Sequence, residues 1–232
     1  MRLLLISNST GADGGYLDHC EAELGSFVGA ARVLFVPFAL HDEAGYGETT
    51  CSKLARMGID AEWADRAGDP AERIAEYAAV FVGGGNTFRL LDRLYATGML
   101  QALRSAVRGG MPYVGSSAGS NVAGPTIKTT NDMPIVEPPS FEALGLVPFQ
   151  INPHYVDRDP DSTHRGETRE QRLTEYLEEN DTPVVALREG AMLRIEDGSI
   201  TLKGSSGARI YRRGFPAVEV PPGSGVGEYL AV

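Results

Sequence analysis

A short segment near the middle of the chain, GSSAG at residues 115–119, has the spacing of a serine nucleophile held in a sharp turn. Gly115 and Gly119 flank Ser117 at two residues on either side, where a strained strand-to-helix turn accepts only small residues. The apolar run PYVGS at 112–116 predicts the strand that such a turn requires. Taken alone, the pentapeptide is more typical of a tight packing turn, because serine and glycine meet often in loops.

A second glycine-rich turn, VGGGNT at 82–87, also follows a strand-like run. It lacks the G-x-G-x-x-G spacing of a dinucleotide site, and no lysine follows it as in a P-loop. Triple glycine also suits an oxyanion hole, where backbone N–H groups must approach a reacting carbonyl closely. We therefore expect the N–H groups of Gly85 and Ala118 to hold an oxyanion.

A serine nucleophile needs a base and an acid that orients the base. His154, in FQINPHYVD, follows an apolar run and is the candidate base. The candidate acids are Asp132, in TTNDMPIVEP, and Glu189, which follows the strand-like run PVVAL. An α/β-hydrolase would run serine, acid, histidine, but Asp132 comes too soon after Ser117 and Glu189 comes after His154. That alternative is weakened further because no HGGG-type loop precedes the serine.

The clearest helix of the sequence is predicted over residues 166–180, GETREQRLTEYLEEN. Thr168 and Gln171 fit a capping box at its start. Arg169 and Arg172 then place two cations in the first turn, where the helix dipole favours acids. Either these arginines bind a carboxylate, or they extend into solvent and pair with neighbouring glutamates, and the spacing alone leaves both open.

The elements that must position these residues alternate between strands and helices. Continuous apolar runs, which fit strands buried on both faces of a parallel sheet, occur at 3–7, 32–38, 79–85 and 112–116. Helical spacing occurs at 42–58, 70–78 and 86–107, the last broken near Gly98. This order predicts a single α/β domain over residues 1–232, with a doubly wound, mostly parallel sheet and helices on both faces.

The C-terminal part of the sequence has a different pattern, with strand-like runs and no helical spacing between them. In AMLRIEDGSITLKG at 191–204, Asp197-Gly198 separates two alternating runs and predicts a type I′ hairpin. ARIYRRG and PAVEVPPG follow as further strand candidates. We expect residues 191–232 to add antiparallel strands to the same sheet.

Composition limits the classes of function. The 232 residues carry a formal net charge of −10, and no run of lysine or arginine is longer than a pair. Nucleic acid and anionic membranes are therefore poor partners. Two cysteines outside any C-x-x-C pattern fit a reducing cytoplasm and argue against a disulfide framework or a zinc site. The five-residue apolar run at the start is too short for a signal peptide or a membrane span.

Together these segments closely resemble peptidase E, the α-aspartyl dipeptidase family. The resemblance runs in the same order from the start of the chain to about residue 192. Its most specific parts are the long TIKTTNDMPIV and GETREQR matches. The matching stretches are LLLISNST, VFVGGGNTFRLL, YVGSSAGSNVAGPTIKTTNDMPIV, FQINPHY, GETREQR and REGAM.

The resemblance implies a class I glutamine-amidotransferase-like fold and a serine peptidase that releases N-terminal aspartate from Asp-X dipeptides. In it, Ser117 matches the nucleophile, His154 the base and Glu189 the third residue of a Ser–His–Glu arrangement. Asp132 is the rival third residue, or else a support or a contact for the free amine of the substrate.

The resemblance also extends to substrate contacts and assembly. Arg169 and Arg172 become candidates for binding the aspartyl side chain, and Asn86 and Thr130 for further polar contacts. A homodimer is implied, with a small peptide as substrate and with no metal or cofactor. One departure is Ser116, where the family often has a bulky aromatic residue.

Two alternatives remain open from the sequence. One is a cyanophycinase-like peptidase of the same fold, which also cuts beside aspartate. The other is a non-catalytic sensor or binding protein with a decayed site. The joint presence of Ser117, His154 and Glu189 speaks against decay.

Overall fold

The computed structural model describes residues 1–11, 14–159 and 166–230, and a seven-stranded sheet lies at its centre. From one edge to the other, its strands are β3 (Ala61–Trp63), β2 (Val33–Val36), β4 (Ala79–Val82), β5 (Tyr113–Ser116), β1 (Leu3–Ile6), β8 (Ala191–Glu196) and β9 (Ser199–Gly204). The first five strands are parallel, whereas β8 and β9 are antiparallel additions beside β1. Every residue of β1, β2, β4 and β5 is buried, as their continuous apolar runs predict.

Helices cover both faces of this sheet because successive residues of a strand point to opposite sides. On the face of Leu4 and Ile6, the core includes residues of α1 (Glu21–Val28) and α2 (Glu43–Arg56). On the opposite face, the core includes residues of α3 (Pro70–Ala75), α4 (Thr87–Ala96) and α5 (Met99–Arg108). The predicted α/β class, with a mostly parallel sheet between two helical layers, is confirmed. None of the described helices is both long and apolar enough to cross a bilayer.

A second, four-stranded sheet lies beside the first. Its order is β11 (Phe215–Val220), β10 (Ala208–Arg212), β7 (Val184–Arg188) and β6 (Gln150–Tyr155). Strands β6 and β7 are parallel, and β10 and β11 are added to them antiparallel. The helix α7 (Arg169–Glu179) packs Leu173 and Leu177 against this sheet.

The expectation that all of residues 191–232 extends the central sheet is wrong for its second half. The hairpin β8–β9 does join that sheet, and Asp197 and Gly198 have the positive φ values of 51° and 79° that its turn requires. Strands β10 and β11 instead pair with β7. The reason is long-range pairing: β7 has a free edge opposite β6, and β10 occupies it in register from Ala208 to Tyr211.

The predicted helices agree with the structure to within a few residues. The break near Gly98 separates α4 from α5, and Gly98 has a φ of 73° that favours glycine. The capping box of Thr168 and Gln171 is present at the start of α7. The four-residue helix α6 (Ala118–Asn121) follows the predicted strand-to-helix turn, whereas the sequence reading missed the helix α1 and the short edge strand β3.

Candidate active site

The serine of the GSSAG segment lies in a strained turn between β5 and α6. Ser117 has a φ of 52°, an unusual value for a residue with a side chain. A Cβ on Gly115 would lie 2.5 Å from the carbonyl oxygen of Gly119, and a Cβ on Gly119 would collide with the carbonyl oxygen of Val82. The two glycines are therefore required by close backbone approach, and the turn has the geometry of a nucleophile elbow.

A chain of two hydrogen bonds joins a hydroxyl, an imidazole and a carboxylate. His154 Nε2 lies 2.9 Å from Ser117 Oγ, and His154 Nδ1 lies 2.8 Å from Glu189 Oε1. The imidazole can thus accept the serine proton through one nitrogen while Glu189 orients it through the other. The side chains of His154 and Glu189 are 40% and 53% exposed, so the arrangement opens to solvent.

The glycine-rich turn after β4 lies directly against the serine. A Cβ on Gly84 would lie 2.9 Å from Ser117 Cβ, so only glycine allows this approach. Within the described residues, neither the Gly85 N–H nor the Ala118 N–H donates a hydrogen bond to the protein. Gly85 also has a φ of 134°, which favours glycine. Ala118 directly follows Ser117, and Gly85 directly follows Gly84, which approaches Ser117; unpaired donors in such segments can stabilise an oxyanion that develops near the serine hydroxyl.

Asp132 binds the start of α4 and makes no hydrogen bond to His154. Its Oδ2 accepts from the Thr87 N–H at 2.8 Å, from Thr87 Oγ1 at 2.6 Å and from Thr130 Oγ1 at 3.2 Å. A carboxylate is favourable at a helix N-terminus because of the helix dipole. The Oδ1 atom of Asp132 has no hydrogen bond in the described part of the chain and can accept from a ligand.

Asn86 and Thr130 form hydrogen bonds within the protein. Asn86 caps α4, because its Oδ1 accepts from the Arg89 N–H at 3.0 Å, and its Nδ2 donates to the Met133 carbonyl at 2.9 Å. Thr130 Oγ1 donates within the cluster around Asp132. Both residues therefore have partners within the protein, and their contact with a substrate stays a prediction.

The two arginines of α7 differ in their surroundings. Arg172 is exposed and pairs with Glu167, Nε to Oε2, at 3.4 Å. Arg169 is half-buried and has no ion pair or hydrogen-bond partner among the residues that the structure describes. Burial, and then the charge of Arg172, lower the pKa of Arg169, whereas the negative charge of Asp132 acts in the opposite direction. Arg169 is therefore a cation near Asp132 that can bind an anionic ligand.

The model of peptidase family S51 matches residues 3–203. The chain belongs to peptidase family S51. It is 57% identical to peptidase E of Streptomyces coelicolor, covering 100% of this chain and 96% of that protein. It is 44% identical to a Drosophila melanogaster protein named probable alpha-aspartyl dipeptidase, covering 95% and 93%.

A solved structure shows the same fold as this S51 peptidase. It is the crystal structure of a peptidase from an acI-B1 Actinobacterium, with a TM-score of 0.73 over 97% of this chain and 95% of that one. The two sequences are 17% identical, so this likeness concerns the fold alone.

One residue that the sequence reading missed supports the glycine-rich turn of the S51 peptidase. The Gly84 N–H donates to Tyr46 Oη at 3.0 Å, and Tyr46 in turn lies within hydrogen-bond distance of the Tyr16 hydroxyl. Burial raises the pKa of Tyr46, so that the phenol stays neutral. No local pattern indicates this contact, because 38 residues separate Tyr46 from Gly84.

Proposed function

We propose that this S51 peptidase is a serine-type dipeptidase that hydrolyses Asp-X dipeptides through an acyl-enzyme. The observation that carries the proposal is the hydrogen-bonded chain from Glu189 through His154 to Ser117, at 2.8 and 2.9 Å. The names of the relatives, peptidase E and alpha-aspartyl dipeptidase, agree with it.

In the proposed reaction, His154 takes the proton of Ser117 as the oxygen attacks the scissile carbonyl carbon. The N–H groups of Gly85 and Ala118 bind the oxyanion of the tetrahedral intermediate. As the intermediate collapses, His154 gives its proton to the leaving amine, and residue X departs. A water molecule then gives a proton to His154 and attacks the aspartyl ester; the bond to Ser117 Oγ breaks, His154 returns the proton to that oxygen, and aspartate leaves. Glu189 orients the imidazole and stabilises its charged form in both steps.

Specificity for an N-terminal aspartate requires two charged groups where the first residue of the substrate binds. A cation must bind its side-chain carboxylate, and an anion must bind its α-ammonium group. Arg169 fits the cation, because its guanidinium has no partner among the described residues and can bind the side-chain carboxylate through two N–H groups. The Oδ1 atom of Asp132, which no described residue hydrogen-bonds, fits the anion that binds the free α-ammonium group. The negative charge of Asp132 acts to raise the pKa of Arg169, so the two side chains are near enough to interact.

The test is hydrolysis of Asp-Leu, Leu-Leu and a β-linked aspartyl dipeptide by the purified protein. The proposal expects rapid cleavage of Asp-Leu alone. Preferred cleavage of the β-linked peptide indicates the cyanophycinase-like alternative, and cleavage of none by folded protein refutes a peptidase of this specificity.

On the family resemblance, we also propose a cytoplasmic homodimer that needs no metal or cofactor. Light scattering at working concentration measures the oligomeric state. Activity should be unchanged in the presence of a chelator, and loss of activity there would contradict the proposal.

A further inference from the structure

The LLLISNST segment, which the proposed reaction does not use, ends β1 beside the nucleophile. Strand β1 pairs with β5, and the Ile6 carbonyl accepts the Ser117 N–H at 2.9 Å. The same carbonyl accepts from Ser120 Oγ at 2.7 Å. The strained backbone of Ser117 is therefore attached to the last residue of β1.

The next residue, Ser7, contacts the base. Ser7 is fully buried, and its Oγ accepts the His154 N–H at 2.9 Å. The Ser7 hydroxyl in turn donates to the Leu187 carbonyl of β7 at 2.9 Å. It therefore bridges β6 and β7 where their pairing is irregular, since the register shifts between Asn152 and Tyr155.

His154 needs such support because its backbone is strained. Its φ is 54°, which is an unfavourable conformation for a residue with a side chain, and the surroundings must offset this strain. The bond to Ser7 fixes the position of the His154 backbone, from which the imidazole reaches Ser117 and Glu189.

The third residue, Asn8, contacts the turn that carries the acid. Asn8 is 1% exposed, and its Oδ1 accepts the Gly190 N–H at 2.8 Å. Its Nδ2 donates to the Thr10 carbonyl at 2.8 Å, which fixes the orientation of the amide. Gly190 directly follows Glu189 and has a φ of 83°, so this bond holds the turn between β7 and β8.

We propose that Ile6, Ser7 and Asn8 are positioning residues that align the nucleophile, the base and the acid. Three consecutive residues each bond one of the three backbone segments, namely Ser117, His154 and the Glu189–Gly190 turn. The inference rests on the proposed function for the roles of those three side chains. In the proposed reaction, Ser7 and Asn8 do not contact the substrate. They act through His154 and Glu189.

The test compares Ser7→Ala and Asn8→Ala with the unaltered protein on Asp-Leu. We expect kcat to fall by about 10- to 100-fold in each, since small misplacements of reacting groups have effects of this size. KM should change less than about twofold, because the proposed substrate contacts of Arg169 and Asp132 are untouched. Ser7→Thr keeps the hydroxyl in a fully buried position, so it should lower the melting temperature but retain most of kcat.

Tyr211→Phe is the matched control, because it removes a buried hydroxyl bonded to Tyr155 at 2.7 Å in the second sheet. It should lower stability without lowering kcat. If Ser7→Ala and Asn8→Ala lower the melting temperature as Tyr211→Phe does but keep kcat, the two residues are only structural and the inference is refuted.

A second readout does not depend on turnover. The proton shared by His154 Nδ1 and Glu189 should give a far-downfield resonance in the NMR spectrum of the unaltered protein. Ser7→Ala and Asn8→Ala should shift or broaden it, and Tyr211→Phe should not. An unchanged resonance in both alanine variants would overturn the inference. Failure of the unaltered protein to cleave Asp-Leu, with the resonance present and shifted in the variants, would refute the proposed function alone.

Discussion

If the proposed specificity for aspartate is correct, replacement of Arg169 by methionine should leave a peptidase that barely distinguishes aspartate from asparagine. Methionine keeps much of the length and apolar surface of the arginine stem but removes the charge. Hydrogen bonds to charged groups contribute about 1.5–3 kcal/mol net, which corresponds to a loss of roughly 10- to 150-fold in kcat/KM for Asp-Leu. Most of the loss should be in KM, because the carboxylate binds alike in the ground state and the transition state.

The structure favours the upper part of this range. The Arg169 guanidinium is half-buried, and burial and Arg172 both disfavour its charged form. It also lies in the first turn of α7, where the helix dipole opposes a cation. A substrate carboxylate offsets these costs, because no described residue forms an ion pair with Arg169.

Arg172→Met is the matched control from the same helix turn. Arg172 and Glu167 are 51% and 57% exposed, and such surface pairs contribute about 0–1 kcal/mol. We therefore expect less than about a fivefold change in kcat/KM on Arg172→Met.

The assay measures kcat and KM for Asp-Leu and for its neutral analogue Asn-Leu in both variants, with melting temperatures as a check on folding. Arg169→Met should affect Asp-Leu alone. An equal loss for the two substrates, or a larger loss in Arg172→Met, would show that this account of Arg169 is wrong.

Three further predictions concern the reaction itself. Ser117→Ala should lower kcat by roughly 10⁴-fold or more while Asp-Leu still binds, measured by calorimetry; retained turnover would reassign the nucleophile. Glu189→Gln should lower kcat by roughly 10³–10⁴-fold, whereas Asp132→Asn should mainly raise KM, and the reverse pattern would make Asp132 the orienting acid. Tyr46→Phe should lower kcat by about 3- to 10-fold at constant KM, because Gly84 loses its acceptor; a pure KM effect would contradict this role.

Local patterns in the sequence predict much of the fold. Buried parallel strands read as continuous apolar runs, and Asp197-Gly198 and Gly98 mark turns whose φ values are positive in the structure. The strand β3 was missed because it has three residues at the edge of the sheet and carries no apolar run. The second sheet was missed because pairing of β10 with β7 is a long-range contact that neither segment encodes by itself.

The residues of the proposed site also fall into two groups, those that the sequence reveals and those that only the structure reveals. The proposed nucleophile and oxyanion donor are recognisable in the sequence by residue type and by neighbouring glycines, as Ser117 and Gly85 are. Their supports do not, because a buried serine or asparagine has no local pattern that reveals its partner. The bond from Ser7 to His154 spans 147 positions and that from Asn8 to Gly190 spans 182. Only the folded structure brings these pairs together.

The two sheets contribute different parts of the proposed site. Ser117 and Gly85 follow strands of the central sheet, whereas His154 and Glu189 lie on or directly after strands of the second. The distance between nucleophile and base is therefore set by how the sheets pack. They share one apolar core, in which Leu3 and Leu5 lie with Ile151 and Val185.

The apolar contacts within that core are non-directional, so they hold the two sheets together without fixing positions to a fraction of an ångström. Hydrogen bonds are directional, and those from the end of β1 cross the junction at the level of the site. A cavity made in the shared core, as by Ile151→Val, should therefore lower stability by about 0.5–1.5 kcal/mol with little change in kcat. Loss of the Ser7 hydroxyl should lower kcat as well as stability, because it removes a buried, directional bond on which the alignment of His154 depends.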